Sequence, residues 1–196
     1  MSGKQDVLVI CGSLRRGSYN ALIARNLPAL APPEMTIVPS PPIGTLPLYN
    51  FDVQSEQGFP ATVTALGDAI RSAHGVMFVT PEYNYSVPGV LKNAIDWISR
   101  LPNQPFAGKP VAVQSASPSA LGGARAQYHL RQMMVFLDAL FFNKPEVMVT
   151  FVNTKVDEAQ GVLTDEPTRK IIAQQLAGFS KFIASQKPVW EALGKQ

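Results

Sequence analysis

The sequence is short of the residues that make covalent or metal cross-links. Its 196 residues include one cysteine, Cys11, and two histidines, His74 and His129. A single cysteine excludes a disulfide within the chain, and no cysteine and histidine residues have the spacing of a metal site. The fold must therefore depend on an apolar core, which a chain of this length can build as a single domain, residues 1–196. The lack of disulfides also agrees with a reducing compartment, so we expect a cytoplasmic protein.

Charged residues are scarce and evenly spread. Asp, Glu, Lys and Arg make up 16% of the chain, and the formal net charge is +3. Because no run of Lys and Arg forms a basic patch, we expect neither a nucleic-acid partner nor a membrane partner. No window approaches the roughly 20 apolar residues that a membrane-spanning helix needs. Residues 1–6 are polar and do not resemble a signal peptide.

Short apolar runs alternate along the chain with segments of helical periodicity. The runs predict five strands, at residues 7–11, 35–38, 76–80, 111–114 and 147–151. Apolar residues at helical spacing predict five helices, at residues 19–30, 63–70, 91–98, 130–141 and 172–183. This alternation predicts an α/β fold, a doubly wound five-stranded parallel sheet with helices on both faces.

A proline-rich segment, residues 39–52, follows the second predicted strand. Pro39, Pro41, Pro42 and Pro47 stiffen it, and the apolar side chains between them need a surface to cover them. Two interpretations stay open. Either the segment packs on its own domain, or it reaches a ligand or a neighbouring subunit.

The loop after the first strand, residues 12–20, has the composition of a phosphate site. In an open parallel sheet, ligands bind beyond the carboxyl ends of the strands, where the strand order reverses. This loop opens a helix, whose free amides and dipole favour an anion. Ser13, Ser18 and Asn20 add side-chain donors. Arg15 adds a positive charge. The alternative is that Ser18 or Asn20 only caps the helix and the arginines are solvated.

The loops after the third and fourth strands suit a flat ring. Residues 81–89 carry Tyr83 and Tyr85 between prolines, and so offer aromatic faces and exposed amides. Residues 115–125 contain small residues and the pair Gly122 and Gly123, which lets the backbone approach a ligand closely. The alternatives are tyrosines that only pack within their loop and a glycine loop that is only flexible.

Several common catalytic motifs do not occur. Residues 12–20 lack the Lys-[Ser/Thr] ending of a nucleoside-triphosphate loop, and they do not form a G-x-G-x-x-G fingerprint. The chain also has no G-x-S-x-G elbow. We expect both histidines to be structural, since His74 precedes the third strand at the opposite pole from the site and His129 lies on a helix.

Taken together, these loops resemble the NADPH-dependent FMN reductase family. The resemblance depends on Gly12-Ser13-Leu14-Arg15 with Ser18 and Asn20, and on residues 81–97, PEYNYSVPGVLKNAIDW. Residues 122–125 and 127–132 are similar to the quinone and chromate reductase branch of that family. The resemblance covers nearly the whole chain and implies a flavodoxin-like fold.

The resemblance implies FMN as cofactor and NADPH or NADH as co-substrate. Around the FMN phosphate it places Ser13, Arg15, Ser18, Tyr19 and Asn20. Along the isoalloxazine ring it places Pro81, Glu82, Tyr83, Asn84 and Tyr85, and near the ribityl chain or the ring it places Ser115 and Ser117. It implies that residues 46–50 approach the flavin of a neighbouring subunit. No protein residue is assigned as catalytic and no metal is expected, because FMN itself carries the chemistry.

The resemblance thus predicts an NAD(P)H-dependent enzyme that reduces small oxidants by a ping-pong hydride transfer through FMN. Quinones are the expected oxidants, with chromate, other metal oxyanions and azo compounds as further ones. Nearly the same residues would serve an FMN reductase that supplies free reduced flavin to a monooxygenase. They would also serve a flavodoxin-type electron carrier, although such carriers are usually acidic and this chain is not. A non-enzymatic interaction protein is a third alternative.

The predicted fourth helix is apolar on more than one side. Besides its core stripe it carries four further apolar residues, Tyr128, Val135, Phe136 and Ala139. An apolar helix face needs a cover, so we expect a homodimer, or a homotetramer as in the resembled branch. By resemblance, Arg125, Tyr128 and Glu146 form a polar network at an interface. The alternative is a single thick core.

Overall fold

A parallel β-sheet forms the centre of the computed structural model, which describes the backbone of residues 4–192 and the side chains of residues 4–186. Its strands are β1 Gln5–Cys11, β2 Met35–Pro39, β3 Gly75–Thr80, β4 Pro110–Ala116, β5 Leu140–Phe141 and β6 Val147–Val149. They lie in the order β2-β1-β3-β4, followed by a fifth position that β5 and β6 share. Every pair in this sheet is parallel.

Helices cover both faces of the sheet. They are α1 Tyr19–Asn26, α2 Phe51–Gln57, α3 Ala61–Ser72, α4 Gly89–Ile98, α5 Ala124–Val135 and α6 Glu166–Ala192. Alternate residues of β1 enter opposite cores, because successive side chains of a strand point to opposite faces. Leu8 and Ile10 pack in the core that α3, α4 and α5 cover. Val7 and Val9 pack in the core that α1 and α6 cover. The predicted fold class is confirmed.

The fifth position of the sheet differs from the prediction. Instead of one strand at residues 147–151, β5 pairs with the start of β4 and β6 pairs with its end. The prediction of a helix over residues 130–141 is wrong at its end, since α5 stops at Val135. Asp138 adopts a left-handed conformation (φ 56°), and the amide of Leu140 then donates to the carbonyl of Lys109. Pairing with β4 thus overrides the helical periodicity.

Other predicted element boundaries also differ from those in the structure, for local reasons. The predicted helix at residues 19–30 ends as α1 at Asn26 and continues as a 3-10 turn, Leu27–Ala29, because Pro28 has no N–H to donate. Helix α2 was not predicted, nor was an antiparallel hairpin of β7 Val156–Asp157 and β8 Val162–Leu163. Asn50 caps α2 by accepting the amide of Asp52 at 2.9 Å.

The order of the strands reverses between β1 and β3, and their carboxyl ends meet there. The amide of Gly12 donates to the carbonyl of Val79 at 2.9 Å. A Cβ atom on Gly12 would lie 2.4 Å from Oγ1 of Thr80, so only glycine fits at this junction. The loops that follow β1 and β3 therefore start side by side.

Within residues 4–192, no helix has both the length and the apolar character needed to cross a membrane.

Candidate functional site

The loop after β1 presents backbone donors that have no acceptor. Ser18 is the N-cap of α1, and its Oγ accepts the amide of Ala21 at 3.2 Å. Four backbone amides of this loop have no hydrogen-bond acceptor in the described part of the chain, namely those of Ser13, Leu14, Arg16 and Gly17. Free amides at a helix start, together with the helix dipole, form an anion site. The cap interpretation is correct for Ser18, and it leaves the loop amides available.

Arg15 and Tyr19 lie at the outer side of this loop. The guanidinium carbon of the exposed Arg15 is 5.4 Å from the centre of the Tyr19 ring. The Tyr19 hydroxyl donates to Oε1 of Glu158, in the β7–β8 hairpin, at 2.7 Å. This hydrogen bond raises the pKa of Tyr19. The hairpin therefore holds Tyr19, whereas Arg15 has no ion-pair partner among the described residues and is available to an anion.

Asn20 is used inside the fold. It is 3% exposed, its Nδ2 donates to the carbonyl of Ala116 at 2.9 Å, and its Oδ1 accepts the amide of Ala116 at 2.9 Å. The side chain thus joins the start of α1 to the end of β4. The structure gives Asn20 this bridging role, and its contact with a phosphate stays a prediction.

The loop after β3 folds into a tight turn with exposed aromatic rings. Tyr83 and Ser86 exchange two backbone hydrogen bonds, of 2.9 and 3.0 Å. The two residues between them, Asn84 and Tyr85, have φ of 48° and 68°, as in a type I′ turn. Tyr83 is 49% and Tyr85 67% exposed. The amides of Asn84 and Tyr85 have no acceptor in the described chain. The turn therefore offers backbone hydrogen-bond donors as well as exposed aromatic rings.

The residues at the start of this loop face inward. The hydroxyl of Thr80 donates to the carbonyl of Pro81 at 3.1 Å. The Glu82 carboxylate, 9% exposed, turns towards α5 and accepts the amides of Arg125 and Ala126 at 3.0 and 3.3 Å. Its other oxygen accepts Nε of Arg125 at 2.5 Å and also pairs with Nη2. Only the backbone of Glu82 is left for a ligand ring, and that contact stays a prediction.

The loop after β4 is wound tightly around Ser115. This residue is 1% exposed, and its hydroxyl donates to the carbonyl of Gly122 at 2.6 Å and accepts Nε2 of Gln127 at 2.8 Å. Gly123 has φ 89°, and a Cβ atom there would lie 2.8 Å from Cβ of Ser115. The predicted ligand contact of Ser115 cannot use its engaged hydroxyl in this geometry. Sequence reasoning missed Gln127, since a glutamine on a helix carries no signal of such a role.

Ser117 orders the next part of the same loop. Its Oγ accepts the amide of Ser119 at 3.1 Å and lies 3.0 Å from the Ser119 hydroxyl. Its amide donates to the carbonyl of Val149 at 3.0 Å. Ser117 stays partly exposed at the carboxyl edge of the sheet, and its contact with a ligand is untested.

The proline-rich segment packs on its own domain at its base, and its approach to a ligand or a neighbouring subunit stays a prediction. Nδ2 of Asn93 and Nε1 of Trp97, both on α4, donate to the carbonyl of Pro47 at 2.9 and 2.8 Å. The base of the segment therefore packs on its own domain. Its tip does not, because Leu48 is 84% exposed. The roles of Asn93 and Trp97 were not predicted, although both lie within residues 81–97 that carry the resemblance.

The three loops have the chemistry that FMN needs. Free amides and Arg15 suit a phosphate, the Tyr83–Ser86 turn suits a ring with a polar edge, and the compact third loop allows close backbone approach. The strands that carry these loops, β1, β3 and β4, are neighbours in the sheet. No group of His, Cys, Asp and Glu side chains able to hold a metal ion occurs in the described residues.

Comparison with known proteins gives the same assignment. The model of the NADPH-dependent FMN reductase family matches residues 6–154, which include all three loops. The chain belongs to this family. Membership confirms the predicted family and makes the protein an oxidoreductase.

Individual family members are similar over almost the whole chain. A quinone reductase of Escherichia coli is 55% identical over 187 residues, which cover 95% of this chain and 100% of that protein. An NAD(P)H-dependent FMN reductase of Pseudomonas aeruginosa is 50% identical over 183 residues, which cover 93% and 97%. Among solved structures, the flavoenzyme FerB, an NAD(P)H:(acceptor) oxidoreductase of Paracoccus denitrificans, aligns with a TM-score of 0.83 at 34% identity, covering 93% of this chain and 98% of FerB.

Proposed function

We propose that the protein is an NAD(P)H-dependent quinone reductase that holds FMN at the carboxyl ends of β1, β3 and β4. The observation that carries this proposal is the content of two adjacent strand ends, which among the described residues present amides without acceptors, an arginine without an ion-pair partner and two exposed tyrosines. The 55% identity to a quinone reductase supports the choice of oxidant class.

Each loop has a defined part in holding the cofactor. The phosphate would be held by Arg15, by the Ser18 hydroxyl hydrogen and by four backbone amides, those of Ser13, Leu14, Arg16 and Gly17, because charge-assisted hydrogen bonds favour an anion there. The turn at Tyr83 and Tyr85 would support the ring, and the free amides of Asn84 and Tyr85 would donate hydrogen bonds to its polar edge. Asn20 and Ser115 support the site from inside the fold. FMN held there would supply the redox chemistry between the reduced nicotinamide and the quinone, while these residues bind and orient it.

The protein's own residues bind and orient, and none acts as an obligatory acid or base. His129 is the histidine that lies nearer to the Tyr83–Ser86 turn. Its Nδ1 is 3.0 Å from Oγ of Ser86, and we assign this contact a structural role. His74 accepts the amide of Asp6 through Nδ1 at 3.0 Å, at the opposite end of β1. Neither histidine is therefore assigned a proton-transfer step.

A second candidate is an FMN reductase that releases reduced flavin. The 50% identity to an NAD(P)H-dependent FMN reductase favours it. The two functions differ in whether FMN stays bound through turnover. Gel filtration after reduction separates them, because a quinone reductase retains its flavin and a flavin-releasing enzyme loses it.

We also propose that the protein is cytoplasmic and assembles into a homodimer or homotetramer. Val135 and Phe136, at the end of α5, are 76% and 90% exposed, and Tyr128 is 53% exposed. Exposed apolar side chains on one helix are typical of an interface. The hydroxyl of Tyr128 lies 3.5 Å from Oε2 of Glu146, which supports part of the expected polar network, while Arg125 is paired with Glu82. Light scattering of the purified protein gives the assembly directly.

Steady-state oxidation of NADPH with benzoquinone tests the proposed activity. We expect sustained turnover without any partner protein, which an electron carrier cannot give. Tyr83→Ala and Asn84→Ala should reduce turnover or FMN affinity while the far-UV circular dichroism stays native. Wild-type activity and FMN affinity in both variants would mean that the site is misplaced.

A further inference from the structure

The β7–β8 hairpin lies along α1 and is bonded to it at two places. At one place, Nδ2 of Asn26 donates to the carbonyl of Gly161 at 2.9 Å, and Oδ1 of Asn26 accepts the amide of Leu163 at 3.2 Å. At the other, the hydroxyl of Tyr19 donates to Oε1 of Glu158 at 2.7 Å. Tyr19 and Asn26 are the first and last residues of α1, and residues seven apart lie on one face of a helix. The hairpin is therefore fixed to both ends of the helix that follows the loop after β1.

The guanidinium of Arg15 is folded back over its own loop. Its carbon lies 5.4 Å from the centre of the Tyr19 ring, within the range of a cation–π contact. A Cβ atom on Gly17 would lie 3.6 Å from Nη1 of Arg15. The positive charge is thus close to Gly17, whose amide is one of the four without an acceptor in the described residues. The Tyr19 ring supports Arg15 in this position.

Glu158 directs its carboxylate to Tyr19 and not to Arg15. No ion pair joins Glu158 to Arg15 in the part of the chain that the structure describes. An exposed carboxylate near an anion site opposes anion binding, but water and salt screen such exposed charges strongly. A hydrogen bond to an ionised acceptor is one of the stronger kinds, and here it fixes the tyrosine at its far end. We therefore expect the fixing of the Tyr19 ring to outweigh the repulsion between Glu158 and a bound phosphate.

We propose that Glu158 is a positioning residue, which acts through the Tyr19 ring to hold Arg15 where the FMN phosphate binds, so that the hairpin governs how firmly FMN is retained. This inference rests on the proposed function for its ligand but not for its contacts. The family model that matches the chain ends at residue 154, before the hairpin begins. The hairpin thus adds a support from outside the region that carries the three loops. Because FMN retention separates the two candidate functions, this support favours the quinone reductase.

Paired titrations of the apoprotein with FMN and with riboflavin test this role. Riboflavin lacks the phosphate, so only the affinity for FMN should depend on Glu158. We expect Glu158→Ala to weaken FMN binding about threefold and to leave riboflavin binding unchanged. Glu158→Gln keeps an acceptor oxygen and should bind FMN about as tightly as the wild type. Tighter FMN binding by Glu158→Ala would overturn the inference, because the carboxylate would then act only by repulsion.

A double-mutant cycle with Tyr19→Phe tests whether Glu158 acts through the tyrosine hydroxyl. Tyr19→Phe keeps the ring and removes its bond to Glu158, so it should weaken FMN binding about threefold. Adding Glu158→Ala to it should then change the affinity by less than about 1.5-fold. Losses that multiply in the double variant would overturn the inference, because the two side chains would then act independently.

Glu34→Ala is the matched control for the loss of a carboxylate. Glu34 is also exposed and also accepts a hydroxyl, that of Ser180 at 3.3 Å. It lies at the opposite end of the sheet, where its carbonyl accepts the amide of Gln5 at the start of β1. Glu34→Ala should leave both affinities unchanged. An equal loss of FMN affinity in Glu34→Ala would overturn the inference, since the effect would then not depend on Tyr19.

NMR titration of the tyrosines in the apoprotein gives a readout that needs no cofactor. Tyr19→Phe identifies the Tyr19 signal by its loss. Because the hydrogen bond to Glu158 raises the pKa of Tyr19 above 10.0, this signal should titrate at lower pH in Glu158→Ala than in the wild type. An unchanged titration would overturn the inference, since the contact would then be absent in solution. Wild-type apoprotein that shows this shift but binds no FMN would instead overturn the proposed function, while the contact between Tyr19 and Glu158 would stand.

Discussion

The side chain of Asn20 bridges both the amide and the carbonyl of Ala116, two hydrogen bonds of 2.9 Å between residues 96 positions apart in the chain. Among the described residues, it is the one side chain that hydrogen-bonds the loop of residues 12–20 directly to the end of β4. Two of the three loops of the site are therefore held at a fixed separation. A ligand that spans them meets a site that is already formed.

Replacing Asn20 should cost stability as well as cofactor affinity. Asn20→Ala leaves two buried backbone groups of Ala116 without partners, and we expect the free energy of unfolding to fall by about 1–3 kcal/mol. Urea denaturation measures this change. Asn153→Ala is the control, since Asn153 is exposed and should be neutral. Equal stability of the two variants would contradict the bridging role.

Replacing Arg15 should affect the phosphate end of the ligand alone. Arg15 is exposed, so Arg15→Ala should leave the free energy of unfolding unchanged. Loss of one charged hydrogen bond to phosphate should weaken FMN binding by about tenfold or more. Riboflavin, which lacks the phosphate, should bind both proteins equally when its fluorescence is titrated. A parallel loss of riboflavin affinity would show that Arg15 acts elsewhere.

Substitutions at Gly123 and Gly161 separate the cost of a steric overlap from the cost of a left-handed backbone conformation. Both have positive φ, 89° and 67°, but a Cβ atom on Gly161 meets nothing within 4 Å. Gly161→Ala should therefore cost only the left-handed penalty of about 1–2 kcal/mol. Gly123→Ala adds the overlap with Ser115 and should destabilise more and weaken FMN binding. Thermal unfolding of both variants checks the order, and the reverse order would refute the steric overlap of a side chain at position 123 with Ser115.

Much of the fold could be predicted because its signals are local. The continuous apolar runs of β1, β3 and β4 and the stripes of α3 and α4 depend on period and composition alone. The short β5 could not be predicted, since Leu140 and Phe141 fit the helical period and are drawn from it by long-range pairing with β4. Helix α2 depends on its cap at Asn50, within a segment whose prolines indicated only a loop.

The site was predicted as a set of loops but not as a set of contacts. Backbone donors at strand ends follow from the topology, so the loops after β1 and β3 could be singled out as candidates from the sequence. The inward roles of Asn20, Glu82 and Ser115 could not, because each depends on a partner that is 7 to 96 residues distant in sequence. Polar side chains near a ligand site look the same in sequence whether they bind the ligand or the fold.

Lys109, which immediately precedes β4, should make the free energy of unfolding depend on pH in the alkaline range. Burial lowers its pKa from 10.5 to about 8, and its Nζ donates to the carbonyls of Arg71 and Ala73. Between these two values the unfolded chain binds more protons than the folded one, so stability should rise with pH. Relative to Lys109→Met, the wild type should gain about 1–3 kcal/mol across this window.

The comparison with Lys109→Met is needed because Cys11 acts in the opposite direction. Burial raises the pKa of the Cys11 thiol above 9.0, so its contribution to stability falls as pH rises. Subtracting the variant's curve removes that effect, since Cys11 is present in both proteins. Parallel pH curves for the two proteins would contradict the buried-lysine assignment.

The central claim is that the three loops bind FMN and place it for reduction by NAD(P)H. The most direct measurement is the visible absorption spectrum of the protein, freed of unbound flavin by gel filtration after loading with FMN, before and after anaerobic addition of NADPH. We predict a protein-bound oxidised-flavin band that bleaches with NADPH and returns when benzoquinone is added. Protein that leaves the column colourless after loading would contradict the account.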